Sequence, residues 1–359
     1  MKKNIKNNNK NDISKEIVFE NIITLSKDSY ASINLIDNSF CIFTSIDNIF
    51  YLVYSNLSYS IIFYNLIHFQ KINEIKHAHI NSSEETIDSR IYLRHYLDKN
   101  NKRDLILSIL NSENDLKIWN VHNLECLLNI KNINESGNLS SSCFINYNKN
   151  IYILTSNQNI AYQEPIKIFN FKGQLISKLN SSSYSTIFID VYYDNKTKIN
   201  YIIAGCQKFV RSYNYNKNKL YYKYSDIDAK IIDTYYYLYS VIINDKKDFV
   251  KMIEIEEKGI IRIWNFHSAQ LLKKIMNDDM KISSYGLCQW DDDHLFIGTK
   301  NGLKQIVFDF NKEKEISQKE KKGKTLIRMK KIIHPKYGNC LITQEYNNGY
   351  SINLLITKK

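Results

Sequence analysis

Lysines are concentrated in one stretch near the carboxyl end of the chain. Residues 311–331 contain eight lysines and Arg328 against three glutamates, a net charge of +6 in a chain whose total is +12. A lysine ammonium is a mobile point charge, so this stretch suits an acidic protein segment or a phosphate group. A soluble turn that guards a sheet edge against aggregation is the alternative. The candidate partner-binding residues are Lys319, Lys321, Lys322, Lys324 and Arg328.

Other ionisable residues lack the neighbours that a catalytic or metal site requires. His77 and His79 lie two positions apart in IKHAHI, but no cysteine or carboxylate stands at the spacing that would complete a metal site. We expect this segment to be a surface loop. Asp291, Asp292 and Asp293 could attract a cation, yet such a triplet between two strands is more typical of a solvated turn. The sequence predicts no catalytic residue and no metal site.

Glycine is too scarce and too irregularly spaced for a nucleotide-binding loop. The chain has ten glycines, and IGTKNGLK at 297–304 lacks the spacing of a phosphate-binding loop. We interpret Asn301-Gly302 as a hairpin turn. The serine-elbow motif and the kinase catalytic loop are also missing from the sequence, so neither an enzyme nor a cofactor is predicted.

The cysteines are spread along the chain without a functional spacing. They stand at positions 41, 126, 143, 206, 288 and 340, and no two form a metal hook or a redox pair. We expect reduced, buried thiols. The amino end lacks the apolar core of a secretory signal, and no run reaches the roughly 18 apolar residues of a membrane helix. A cytoplasmic location is predicted, with a nuclear one left open.

The elements that carry these residues are predicted to be strands. Aromatic residues make up 13% of the 359 residues and include 27 tyrosines and 16 phenylalanines. Aromatic and β-branched side chains pack well on a pleated surface, so the composition favours β structure. The opening MKKNIKNNNKND is a low-complexity exception, and we assign residues 1–15 as a disordered Asn/Lys-rich tail.

An aromatic residue followed by asparagine recurs along the chain. The first five copies are Tyr64-Asn65, Trp119-Asn120, Phe169-Asn170, Tyr213-Asn214 and Trp264-Asn265, the sixth is Phe308-Asp309, and Leu355-Ile356 takes the place of the pair in the seventh. Successive copies are 55, 50, 44, 51, 44 and 47 residues apart. Seven copies at this period indicate a repeat architecture.

Each repeat has the pattern of four short strands. In the second repeat, SRIYLRHYL is followed by RDLILSIL, DLKIWNV and LECLLNI, with polar turns between them. Four-stranded antiparallel units bury their faces against their neighbours, and seven of them close into a ring. The predicted fold is therefore all-β, a single seven-bladed β-propeller over residues 16–359.

The two ends of the chain complement each other. The last repeat stops one strand short, while a surplus strand, EIVFENIIT at 16–24, precedes the first repeat. Pairing that strand with SINLLITKK at the carboxyl end would close the ring and remove two exposed sheet edges. We therefore predict that an amino-terminal strand completes the last blade.

The predicted third strands resemble those of the WD-repeat propeller family. In that family the third strand ends in a Trp-Asp pair, and LKIWN, IIRIWN, IKIFN and IVFD keep the pattern, usually with Asn in the Asp position. The family's Gly-His dipeptide is missing, and only IKHAHI around His79 resembles it. In family members that His joins an Asp and the Trp in a hydrogen-bonded network, so packing or other polar pairs must hold the inter-blade turns here. With its Asn and Lys bias, the chain is similar to degenerate, protist-type members.

The resemblance implies a protein-binding role. A rigid propeller with variable loops suits a scaffold or adaptor that binds other proteins within a larger complex and needs no cofactor. The alternative is an RNA- or ribonucleoprotein-associated propeller that uses the basic residues 311–331. RNA recognition also favours exposed aromatic side chains among the basic residues, whereas most tyrosines here are expected to pack within strands. Nucleic acid is therefore the less favoured partner, and no oligomeric state is specified.

Overall fold

The computed structural model consists almost entirely of strands in its described part. The structure describes residues 17–26, 40–56, 58–79, 91–110, 114–133, 138–158, 165–179, 186–206, 209–225, 238–246, 249–256, 260–275, 284–291, 294–299, 301–309, 314–346 and 350–357. The predicted tail, residues 1–15, lies outside these ranges. Within them, a 3-10 turn at Tyr215–Lys217 is the one helical element.

Within the described ranges, twenty-eight strands form seven antiparallel four-stranded sheets, which we number as blades 1–7. Blade 1 contains β2 (Phe40–Thr44), β3 (Phe50–Ser55), β4 (Ile61–Asn65) and β5 (Gln70–Ile75), and blade 2 contains β6 (Ile91–Asp98), β7 (Arg103–Leu110), β8 (Asp115–Asn120) and β9 (Cys126–Ile130). Blade 3 contains β10 (Asn138–Tyr147), β11 (Asn150–Gln158), β12 (Ile166–Asn170) and β13 (Leu175–Leu179), and blade 4 contains β14 (Thr186–Asp194), β15 (Ile199–Cys206), β16 (Val210–Asn214) and β17 (Lys219–Tyr224). Blade 5 contains β18 (Leu238–Lys246), β19 (Phe249–Glu256), β20 (Ile261–Asn265) and β21 (Leu271–Ile275), and blade 6 contains β22 (Ser284–Gln289), β23 (His294–Thr299), β24 (Gly302–Asp309) and β25 (Lys314–Lys322). Blade 7 contains β26 (Thr325–His334), β27 (Gly338–Tyr346), β28 (Tyr350–Thr357) and, from the amino end, β1 (Phe19–Ser26).

The amino-terminal strand closes the ring. β1 pairs antiparallel with β28, and the strand order of blade 7 is β1-β28-β27-β26. Glu20 lies opposite Ile356 and Thr24 opposite Asn353, whose side-chain oxygen accepts a 2.8 Å hydrogen bond from Thr24 Oγ1. The prediction of a seven-bladed propeller closed by an amino-terminal strand is confirmed.

The apolar core lies in clusters between neighbouring blades. The first strands of neighbouring blades contact one another from blade 1 to blade 4 and from blade 5 to blade 7, and each cluster unites side chains from adjacent sheets. The Trp264 ring of blade 5, for example, contacts the Tyr224 ring of blade 4 edge-on at a centroid distance of 6.0 Å. The repeated aromatic residues of the first five repeats lie in third strands and are 2–8% exposed: Tyr64, Trp119, Phe169, Tyr213 and Trp264. Phe308 and Asp309 lie in the corresponding strand of blade 6.

The asparagine of the repeat stabilises the turn that follows the third strand. Its side-chain oxygen accepts a hydrogen bond from a backbone N–H two or three positions later, over 2.7–3.1 Å. This Asx-type turn satisfies N–H groups that no strand partner reaches. The asparagines that act in this way are Asn65, Asn120, Asn170, Asn214 and Asn265.

In blades 2 and 3, a lysine of the third strand donates a hydrogen bond to the segment that precedes the blade. Lys117 Nζ donates to the carbonyl oxygen of Ala78, and Lys167 Nζ donates to that of Ile133, each over 2.7 Å. Ala78 and Ile133 lie in the segments that precede blades 2 and 3. These contacts are the polar pairs that the missing Gly-His dipeptides led us to expect.

His79 is buried, which corrects the expectation of a surface loop for this segment. His77 is exposed, but His79 is 1% exposed, and its Nε2 is hydrogen-bonded to Ser108 Oγ over 2.8 Å. The same hydroxyl accepts a 2.9 Å hydrogen bond from Trp119 Nε1. Burial lowers the pKa of His79 to about 3, so the imidazole is neutral near pH 7. A strand serine thereby joins the turn to the repeat tryptophan.

Candidate functional site

The predicted basic residues are distributed over a strand, a turn and an inner strand. Lys319 and Lys321 lie in β25, and their side chains fall outside the described part of the chain. Lys322 ends β25 and Lys324 lies in the turn that follows, and both are exposed. Arg328 lies in β26 and is half-buried. Lys322 and Lys324 line the same cleft at the junction of blades 6 and 7, and Arg328 is not part of that lining.

A tight turn connects blades 6 and 7 at these lysines. Lys322 pairs with Gly302 across the β24–β25 ladder, and the Gly323 N–H donates to the Asn301 carbonyl over 2.6 Å. Asn301-Gly302 joins β23 to β24, as predicted, and the φ angle of Gly302 is 136°, a value that favours glycine. Directly opposed residues project on one face of a sheet. Gly302 has no side chain to extend beside Lys322, and both residues line the cleft next to this turn.

A cleft of about 280 Å³ opens beside this turn, where blade 6, blade 7 and β1 meet. Its apolar wall comes from Phe19 of β1, Leu303 of β24, Leu326 of β26 and Leu355 of β28. Pockets for whole small molecules usually measure about 300–1,000 Å³. This cleft is therefore the size of an anchor pocket for one or two side chains.

The rim of the cleft is polar and carries more positive than negative charge. Lys322, Lys324 and Glu345 line it together with Asn21. Lys324 Nζ lies 3.9 Å from Glu345 Oε2, and Thr343 Oγ1 donates to Glu345 Oε1 over 3.1 Å. Glu345 is thus held by the fold and partly neutralises Lys324. The two lysines still exceed the single carboxylate.

Close packing between strands fixes the position of the cleft wall. A Cβ atom at Gly298 of β23 would lie 2.6 Å from the Leu326 carbonyl oxygen, so glycine permits this approach of blades 6 and 7. The Phe19 ring contacts the Trp290 ring edge-on at 5.1 Å, and the Ile17 N–H donates to Gln305 Oε1 over 3.1 Å. Blade 6 therefore holds β1 in place through contacts of its own.

Sequence reasoning identified the lysines of this cleft but missed its other residues. Phe19 and Asn21 stand about 300 positions before Lys322 in the sequence, and Glu345 and Leu355 belong to later strands. The predicted pairing of the two chain ends was the signal that could have located them. That pairing places the amino-terminal strand next to the turn that contains the lysines.

A larger cleft of about 700 Å³ lies on the opposite face, between blades 1 and 2. Asp104 in its wall accepts hydrogen bonds from the Ile46 N–H at 2.8 Å and is bonded to His95 Nε2 at 2.7 Å. His95 stacks on the Phe43 ring at 3.6 Å, and burial lowers its pKa against the opposing effect of Asp104. Asp104 Oδ2 thus joins the two blades through Ile46, while Oδ1 holds His95 of the same blade against Phe43 of blade 1. The charges around this cleft are mixed and define no ligand class.

The other sequence candidates are placed in structural roles. Asp291 accepts hydrogen bonds from the His294 backbone N–H at 2.9 Å and pairs with its Nδ1 at 2.7 Å, while Asp292 and Asp293 lie outside the described residues. In the described part of the chain, no group of three or more His, Cys, Asp or Glu side chains is arranged to hold a metal ion. All six cysteines are free thiols, five of them buried, and Cys126 is exposed, contrary to expectation.

The structure resembles solved β-propellers. It superimposes with a TM-score of 0.62 on Raptor from Chaetomium thermophilum, at 13% identity, covering 93% of this chain and 30% of that one. It superimposes equally well, with a TM-score of 0.62 and 10% identity, on the β-propeller domain of Cps50 (Swd1) from Myceliophteria thermophila, covering 92% of this chain and 98% of that one. The chain thus spans less than a third of the Raptor chain and nearly all of the Cps50 propeller domain.

The likeness to known proteins lies in the fold. No protein-family model and no curated protein sequence matches this chain. Among the described residues, no helix is long and apolar enough to cross a membrane.

Proposed function

We propose that this protein is a non-catalytic scaffold or adaptor, a degenerate protist-type member of the WD-repeat family that binds other proteins within a larger complex. The observation that carries the proposal is the combination of a closed ring of seven blades with an open, lysine-rimmed cleft beside the turn between blades 6 and 7. Strands that are paired and packed on both sides form a rigid support, and a cleft on such a support binds without refolding. We place the protein in the cytoplasm, in keeping with the sequence.

The resemblance to solved propellers supports this proposal at the level of the fold. A propeller can host many activities, so the function must come from the site itself. Here the site offers an apolar wall and charged side chains at its rim. That composition matches the buried core and polar rim of protein interfaces.

RNA binding, the alternative function, is not favoured by the geometry of the cleft. Single-stranded RNA is usually held by bases stacked on exposed aromatic rings next to basic side chains. Phe19 is the aromatic residue in the cleft wall, and it is 2% exposed. A buried ring offers no stacking face, so the described lining of this cleft gives no support to RNA binding.

Affinity purification of the full chain from its native cells tests the proposal. We expect the tagged wild-type protein to retain a defined set of proteins after nuclease treatment. Retention of RNA, or of proteins that nuclease treatment releases, would instead identify the nucleic-acid alternative. Retention of neither would also contradict the scaffold proposal.

A further inference from the structure

We infer that the cleft between blades 6 and 7 takes a short acidic segment of a partner protein, with a large apolar side chain inserted next to an Asp or Glu. We call this cleft the seam cleft, since β1 closes the ring there. The inference rests on the proposed function and adds the chemistry of the partner to it.

The apolar wall calls for an apolar anchor. Leu303 and Leu326 line the cleft and are 8% and 5% exposed, so the surface that they present to a ligand is apolar. A volume of about 280 Å³ admits a leucine, isoleucine, methionine or phenylalanine side chain. Burial of one such side chain in a preformed pocket is the usual form of a binding hot spot.

The charges at the rim select the residue beside the anchor. Lys322 and Lys324 approach the mouth from the end of β25 and from the turn, and Glu345 engages one of them. A partner carboxylate would add the second negative charge that these two lysines lack. A basic segment would meet the same lysines at close range and be repelled.

The seam cleft also connects binding to closure of the ring. Its lining includes the exposed Asn21 of β1 and the half-buried Leu355 of β28, which belong to the paired chain ends, together with Leu303 of blade 6. A segment in the cleft contacts all three parts of the chain. Since a ligand stabilises the state that binds it, the bound segment should raise the stability of the closed ring.

Selection from a random peptide library displayed on phage, with the full-length protein as target, tests this inference. We expect the enriched peptides to carry Asp or Glu within a few positions of Leu, Ile, Met or Phe. A synthetic, fluorescently labelled copy of the most enriched peptide then serves as the probe for anisotropy titrations. It should also raise the melting temperature of the wild-type protein.

Charge variants with a matched control locate the binding site. Lys322→Glu with Lys324→Glu should weaken binding of the probe at least about tenfold, because attraction becomes repulsion. Lys217→Glu with Lys219→Glu makes the same change of charge at the same spacing in blade 4, where the exposed Lys217 ends a 3-10 turn and the exposed Lys219 begins β17. This control should bind the probe like the wild type.

A third variant moves affinity in the opposite direction. Glu345→Gln removes the carboxylate that engages Lys324 and keeps an oxygen that can accept from Thr343. We expect the probe to bind about two- to fivefold more tightly, in line with a partly exposed ion pair. This gain remains measurable if the double lysine variant folds poorly.

Several outcomes would overturn the inference. They are enrichment of basic or uncharged peptides, equal loss in the two double variants, no gain from Glu345→Gln, or tighter binding of a uridine oligonucleotide than of the probe. Native partners that remain bound to the Lys322→Glu, Lys324→Glu protein would also overturn it while leaving the scaffold proposal intact. Failure of the wild type to retain any protein would instead contradict the scaffold proposal itself.

Discussion

At the scale of single residues, Ser108 connects two side chains that the chain brings from different elements. Its Oγ is hydrogen-bonded to His79 Nε2 and accepts from Trp119 Nε1. Both partners are buried, and an unsatisfied buried polar group costs about 1–3 kcal/mol. In blade 5, Trp264 Nε1 has no hydrogen-bond partner among the described residues. The two tryptophans thus occupy the same repeat position with different polar surroundings.

Replacing these tryptophans should separate packing from hydrogen bonding. Trp119→Ala and Trp264→Ala should each lower the free energy of unfolding by about 3–5 kcal/mol, since both rings are buried between blades. With phenylalanine instead, the loss at Trp119 should exceed the loss at Trp264 by about 1 kcal/mol, because only the indole of Trp119 donates to a serine. Urea unfolding measures the free energy of unfolding of all four variants. A wild-type unfolding midpoint in the alanine variants would contradict their burial.

The neutral state of His79 makes stability depend on pH. Its pKa is lowered from 6.5 to about 3 in the folded protein, so the unfolded chain takes up the proton first as the pH falls. Stability from this group is present above pH 6.5 and is lost on acidification, by about 1.4 kcal/mol per pH unit between the two values. Unfolding free energies of the wild type and of His79→Gln, measured from pH 7 downwards, should therefore converge. Parallel curves would show that His79 is not the titrating group.

At the scale of elements, the turn after the third strand has a recurring conformation in blades 2, 3 and 5. After the asparagine that ends the third strand, a residue with positive φ lies two positions before the fourth strand. These residues are Leu124 (59°), Gly173 (79°) and Ala269 (54°). The left-handed backbone conformation costs a residue with a Cβ about 1–2 kcal/mol, and this cost does not apply to glycine. The chain places glycine at this position in blade 3 but alanine in blade 5.

Single substitutions at these two positions should therefore change the stability of the protein in opposite directions. Ala269→Gly should stabilise the protein by about 0.5–1 kcal/mol, because it relieves the left-handed conformation. Gly173→Ala should destabilise it by at least about 1 kcal/mol, and its new Cβ would also press on Leu128 Cδ1 at 3.3 Å. Thermal unfolding of the two variants measures the difference. Shifts of the same sign would contradict the assigned turn geometry.

The positions of the strands were predictable from the repeat, whereas their polar contacts were not. The second repeat was predicted to contain RDLILSIL as a strand, and β7 is Arg103–Leu110. Alternation of apolar residues reports burial on a pleated sheet, which is a local property. The bond from Lys117 to the Ala78 carbonyl spans 39 residues and depends on how neighbouring blades meet. A basic residue in a strand gives no local sign of such a partner.

At the scale of the whole molecule, the fold was predictable because the ends of the chain complement each other. A surplus strand at one end and a missing strand at the other left one way to complete seven sheets. The seam cleft follows from that closure, yet its shape does not, because four strands and the approach allowed by Gly298 determine it together. The lysines were visible in the sequence through their charge. Their apolar neighbours looked like ordinary core residues.

Closure of the ring is the central claim, and a disulfide between the paired chain ends tests it most directly. Opposed Cα atoms in an antiparallel pair lie about 4.5–5.5 Å apart, within the usual span of about 4.4–6.8 Å for a disulfide. Glu20 and Ile356 are opposed, whereas Asn353 lies three residues, or roughly 10 Å, along β28. A Cys126→Ser background removes the exposed native thiol.

In that background, Glu20→Cys with Ile356→Cys should form an intramolecular disulfide rapidly under mild oxidation. The disulfide is detected as faster migration of the protein on a denaturing gel run without reductant. Glu20→Cys with Asn353→Cys should form it much more slowly. Equal rates in the two pairs, or no bridge in the first, would contradict the closure of blade 7 by β1.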